Sequence, residues 1–119
     1  MGVHEKHERF LAIAVAHDGV AQCPDGQERV AFEDLVRTLL ESANIPATLC
    51  FYTEGVRWLT DESPVLAQLQ EIGNRGADIV ACRACLAEAG MLDRLALGRL
   101  DTQDHIDEIL RHAEHTVVV

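Results

Sequence analysis

The 119-residue chain is poor in aromatic residues, with three Phe, one Trp and one Tyr. Its core must therefore be built from Leu, Val, Ile and Ala. Basic residues are scarce too. Lys6 is the single lysine, and ten Lys plus Arg face twenty Asp plus Glu, for a formal net charge of −10. A uniformly acidic chain repels phosphate backbones, which argues against nucleic-acid binding. No apolar run reaches the roughly 18–20 residues needed to span a bilayer. The opening "MGVHEKHERF" lacks the apolar centre and small-residue cleavage site of a secretory signal. A cytoplasmic protein with no membrane contact is expected. In that compartment cysteines are more often free, catalytic or metal-binding than structurally paired. Internal repeats, linkers and low-complexity segments are likewise missing.

What is present suits one folded domain over 1–119, with residues 1–8 as a flexible tail. A chain of this length buries roughly 65% of its unfolded surface, and 48% of its residues are hydrophobic. "FLAIAVA" (10–16) is continuously apolar, as a strand covered on both faces would be. A polar turn, "HDGVAQCPDG", follows. The helical spacing of Phe32, Leu35, Val36, Leu39 and Leu40 predicts a helix from about Gln27 to Ser42. "IPATLCFYT" reads as a second strand. Ser63 and Pro64 then read as the cap and first position of a helix carrying Val65, Leu66, Leu69 and Ile72. "ADIVAC" is a third strand and "RACLAEAG" a short helix closed by Gly90. "RLALG" (94–98) reads as a fourth strand. Thr102 or Asp101 caps a last helix, and "TVVV" forms a fifth strand. The alternation predicts an α/β fold, a three-layer α/β/α sandwich around a mainly parallel five-stranded sheet.

In open parallel sheets, ligands bind beyond the carboxyl ends of the strands. Cys23, Cys82 and Cys85 fall in segments that begin there, whereas Cys50 lies inside the second strand and belongs to the core. The pair Cys82-x-x-Cys85 runs from strand end into helix start, where unpaired N–H groups and the helix dipole favour a thiolate. Cys82 and Cys85 are the candidate catalytic residues, and a solvent-reachable Cys82 is expected. Glu54, Gly55 and Arg57 after the second strand would shape a pocket. Arg83 would add positive potential, and His17 would act as a base or hydrogen-bond partner. The same spacing fits half a zinc site or a dithiol redox protein. Zinc needs about four ligands and one C-x-x-C supplies two, so no metal or cofactor is expected. His105, His112 and His115 read as solvated histidines. Thioredoxin-like chains place the motif early and a proline after it, and here no proline follows Pro64.

The stretch from "FYTEGVRWLTDESPVLAQL" through "GADIVACRACLAEAGMLDRLALGRL" resembles the DsrE/DsrF-like family, closest to the DsrE-like domain of YedF-type proteins. The matching residues are Gly55 and Val56 of the turn, then Cys82, Cys85, Leu86 and Gly90, within roughly residues 48–113. Thr53 and Glu54 stand where the family turn carries an asparagine, and Arg83 where it often carries glycine. The resemblance implies a DsrE-like fold and a sulfur-relay role. Cys82 would carry sulfur as a persulfide and Cys85 would resolve it. Partners would be sulfur donor and acceptor proteins and further copies of the chain in a homo-oligomer, with Trp58, Met91 and Leu92 as candidate contact residues. A non-catalytic binding or assembly module on the same fold is the alternative.

Overall fold

The computed structural model describes residues 11–16, 27–42 and 45–118. The expected tail over 1–8, His17 and Cys23 lie outside the described residues. Strand β1 (Leu11–Val15) leads to helix α1 (Gln27–Glu41) and strand β2 (Thr48–Phe51). A 3₁₀ segment (Thr53–Leu59) and helix α2 (Leu66–Asn74) precede β3 (Asp78–Cys82). Helix α3 (Arg83–Glu88), a short 3₁₀ turn (Leu92–Arg94), β4 (Arg99–Asp101), α4 (Gln103–His112) and β5 (His115–Val118) complete the chain. The five strands form one sheet in the order β4-β3-β2-β1-β5. Every adjacent pair is parallel, so the three-layer α/β/α sandwich is as expected.

Register partners in a parallel sheet project to the same face. Ile13, Val15, Leu49, Phe51 and Ile79 therefore share one face. That face packs against α1 and α2. The Phe32 ring meets Phe51 edge to face at 6.2 Å and lies 4.4 Å from the Trp58 ring. A Cβ on Gly73 of α2 would sit 3.3 Å from Ile79 Cδ1. Ala12, Ala14, Thr48, Cys50, Asp78, Val80, Cys82, Arg99 and Asp101 share the other face. Helix α4 lies over it with Ile106 fully buried.

Three details differ from the sequence reading. The apolar run 94–98 is not a strand. Leu92–Arg94 turn as a 3₁₀ helix, Leu95 makes an isolated bridge to Thr60, and the fourth strand is the polar Arg99–Asp101. Helix α2 starts at Leu66, and Ser63 instead closes a preceding turn by accepting a bond from the Val65 N–H at 3.2 Å. Trp58 and Met91, expected as exposed contact residues, are each only 3% exposed within one protomer, and Leu92 is partly buried. Thr102 does cap α4, accepting from the His105 N–H at 3.1 Å. Among the described residues no helix is long and apolar enough to cross a membrane.

Candidate functional site

The carboxyl ends of β1, β2 and β3 converge where the first 3₁₀ segment and α3 begin. Gly55 fixes that convergence. A Cβ there would lie 2.1 Å from the Val15 carbonyl oxygen, so only glycine lets the segment close against β1. Its N–H donates to the Tyr52 oxygen at 2.9 Å and the Ala16 oxygen at 3.2 Å. Gly55 is thus a buried packing residue with its N–H used internally.

Thr53 immediately precedes this approach and has φ 47°, in the left-handed region that a β-branched residue rarely adopts. Its hydroxyl is within donating reach of the Tyr52 oxygen (2.7 Å) and of the Ala16 oxygen. In this conformation the Thr53 N–H points at the Cys85 sulfur, 3.1 Å away. On the other side, the Gln103 Oε1 lies 4.0 Å from the same sulfur. Asp107 Oδ1 fixes that amide by accepting from Gln103 Nε2 at 2.9 Å.

The two cysteines differ in access. Cys82 is wholly buried at the end of β3, which corrects the expected solvent-reachable sulfur at that position. Cys85 is the half-buried thiol. It lines an open cleft of about 300 Å³ with Thr53, Glu54, Arg57, Glu88 and Ala89. The helix after Cys82 has only six residues. Burial pushes the Cys85 pKa up, and a hydrogen bond with Cys82 and the Glu88 charge add to this. The Thr53 N–H opposes the rise without cancelling it. At neutral pH Cys85 therefore rests as a thiol.

Glu54 and Arg57 line the cleft, and Arg57 lies 3.9 Å from Glu62. Arg83 is exposed and is not one of the residues lining the cleft. Cys50 is fully buried, and burial followed by the Asp78 charge raises its pKa to about 11. It remains a core thiol. Thr53, Glu88 and Gln103 were missed from the sequence. Gln103 had a usable signal, since it follows the Thr102 cap directly after a strand's carboxyl end.

A second polar cluster runs along β3 and β4 on the α4-covered face. Arg99 bonds Asp78 through Nε at 2.9 Å and Nη2 at 2.8 Å, and Asp101 through Nη1 at 2.9 Å. Asp101 also accepts from the Thr102 N–H at 2.8 Å and pairs with His105 Nδ1. Burial acts to raise the Asp101 pKa, but these bonds prevail and hold it below the usual carboxylate range.

No protein-family model matches the chain, and no curated protein does. Among solved structures it is similar to a protein of unknown function, MTH1491, from Methanobacterium thermoautotrophicum. The TM-score is 0.66 at 15% sequence identity, over 92% of this chain and 97% of that one. At that identity the likeness is one of fold.

Proposed function

We propose that the chain is a small sulfur-relay protein of DsrE/DsrF-like type, with Cys85 as the thiol that receives sulfur and Cys82 as the buried resolving thiol. The observation that carries this is the Cys85 sulfur itself. It is open to a cleft, holds a backbone N–H at 3.1 Å, and has a second cysteine three positions before it at the end of β3. The shared fold and the C-x-x-C at the strand–helix junction support it.

In the forward step the Cys85 thiolate attacks the terminal sulfur of a donor persulfide. A new S–S bond forms on Cys85, the donor's S–S bond breaks, and its electron pair leaves with the donor thiolate. An acceptor thiolate then takes the terminal sulfur by the same exchange. Alternatively Cys82 attacks the inner sulfur, forming a Cys82–Cys85 disulfide and releasing hydrosulfide. The Thr53 N–H would stabilise negative charge on the inner sulfur during each exchange. Donor and acceptor proteins and self-assembly belong to this reading.

Intact and peptide mass spectrometry after incubation with a persulfide donor tests it. Wild type should gain about 32 Da, one sulfur atom, on Cys85. Cys85→Ser should abolish the adduct, and Cys82→Ser should prolong it by removing the resolving thiol. An adduct on Cys50 or Cys23, or none at all, would exclude the relay.

A further inference from the structure

We propose that two side chains of α4 regulate Cys85: the Gln103 amide oxygen holds the thiol proton at rest, and Asp107 is the positioning residue that keeps this oxygen, rather than the amide N–H, turned toward the sulfur. The inference rests on the sulfur-relay reading for the use made of Cys85. For the rest it rests on side-chain geometry.

Two partners of opposite polarity flank the sulfur. The Thr53 N–H, 3.1 Å away, can only donate. The Gln103 Oε1, 4.0 Å away, can only accept. A thiol satisfies both, since its S–H donates while its sulfur accepts. A thiolate has no hydrogen for the amide oxygen and meets the negative end of that dipole. The arrangement therefore fits the protonated sulfur, in keeping with the upward push of burial on Cys85. A half-turn of the amide would reverse its effect by presenting Nε2–H to the sulfur. Asp107 opposes that turn. A carboxylate accepts and has no hydrogen to give, and Asp107 Oδ1 takes the bond from Nε2 at 2.9 Å. The two residues stand four apart on α4, one turn from each other, and the Thr102 cap fixes where that turn begins. Among the described residues, Cys85 is also faced by Cys82 from β3, by Glu54 and Arg57 from the first 3₁₀ segment and by Glu88 from its own helix. Tyr52 lies within the field of Asp107. Of the two hydrogen-bond partners printed on the sulfur by geometry, the amide can change sign by turning and the backbone N–H cannot. At rest the pair keeps Cys85 in the form that does not attack a persulfide. With the amide turned, two N–H groups would face the ionised sulfur.

The test is the pH profile of Cys85 alkylation by iodoacetamide on the full chain, followed by peptide mapping. The midpoint of that profile reports ionisation of the sulfur, which a merely structural role of α4 would not move. Four proteins are compared: wild type, Gln103→Met, Asp107→Asn and the double variant, with circular dichroism confirming the fold of each. Gln103→Met removes the acceptor and should lower the midpoint. Asp107→Asn lets the amide take either orientation and should lower it as well. At 4.0 Å the sulfur contact is long, so each shift should be about half a pH unit, roughly threefold in the ionisation constant. In the Gln103→Met background, Asp107→Asn should change almost nothing, because the amide through which it acts is gone. An unchanged or raised midpoint in Gln103→Met overturns the proposal. So does an equal shift from Asp107→Asn in both backgrounds, which would mean that Asp107 acts by its charge alone. The persulfide adduct on Cys85 is scored separately on the same four proteins. Its absence throughout removes the relay, while the alkylation midpoints still decide the roles of Gln103 and Asp107.

Discussion

The two faces of the sheet are built on different principles. Toward α1 and α2, Ile13, Val15, Leu49, Phe51 and Ile79 project large apolar groups, met by Phe32, Val36, Leu69, Ile72 and Trp58. Toward α4 the same strands project Ala12, Ala14, Thr48, Cys50 and Val80, with Asp78 at the start of β3 and Arg99 and Asp101 on the edge strand β4. One helix suffices to cover that face because its side chains are short. The first face supplies most of the hydrophobic stabilisation. The second tolerates charges and ends at the carboxyl rim in Cys82, beside Asp101 and close to the start of α4. The thiols thus sit where packing demands are weakest and polar groups are available.

Adjacent residues of β2 give the sharpest test of this contrast. Phe51→Ala should cost about 3–5 kcal/mol of stability through the lost transfer energy and the cavity left behind. Cys50→Ala, one residue earlier on the opposite face, should cost about 1 kcal/mol. Denaturant titration of both variants measures the difference, and equal losses would erase the distinction between the faces.

A smaller effect probes the polar face through pH. The folded pKa of Asp101 lies below its unfolded value because of its bonds to Thr102, His105 and Arg99. The unfolded state therefore binds the proton more readily, and Asp101 contributes stability that is fully present above about pH 4. It is lost as pH falls through the lower, folded value. Asp101→Asn should cost about 1 kcal/mol or less at pH 7. The gap from wild type should close as the titrations are repeated toward pH 2. A gap that stays constant down to that pH would mean that the carboxylate's charge is not what matters.

The smallest expected change lies at the rim between the two regimes. Asparagine accepts the left-handed backbone far more readily than threonine does. Thr53→Asn should therefore stabilise the protein by about 0.5 kcal/mol while the backbone N–H still faces Cys85. Chemical melts should show the gain, with alkylation of Cys85 close to the wild-type rate.

Hydropathy made the buried strands legible. β1, β2 and β3 are apolar runs, and the periodic Phe32, Val36 and Leu39 disclosed α1. It misplaced β4 because an edge strand held by Arg99–Asp78 and Arg99–Asp101 pairs carries no apolar signal. The neighbouring Leu95-Ala96-Leu97 is apolar but runs through a turn. The position of the thiol pair was readable from the strand–helix boundary. Which thiol would be open was not, because access depends on how the neighbouring elements close over the end of β3. The Thr53 N–H was invisible too, since nothing in a threonine announces a left-handed backbone.

The position of β1 has a consequence for the order of folding. It lies between β2 and β5, and its pairing with β5 joins Leu11 to His115. The pairings β2–β3 and β3–β4 close much shorter stretches of chain and can form early. During synthesis the apolar strand Leu11–Val15 must wait, with one side unpaired, until the last strand emerges. Docking of β5 is thus the late event that covers the apolar β1 edge, otherwise open to strand addition from another chain, and moves the end of the sheet to β5.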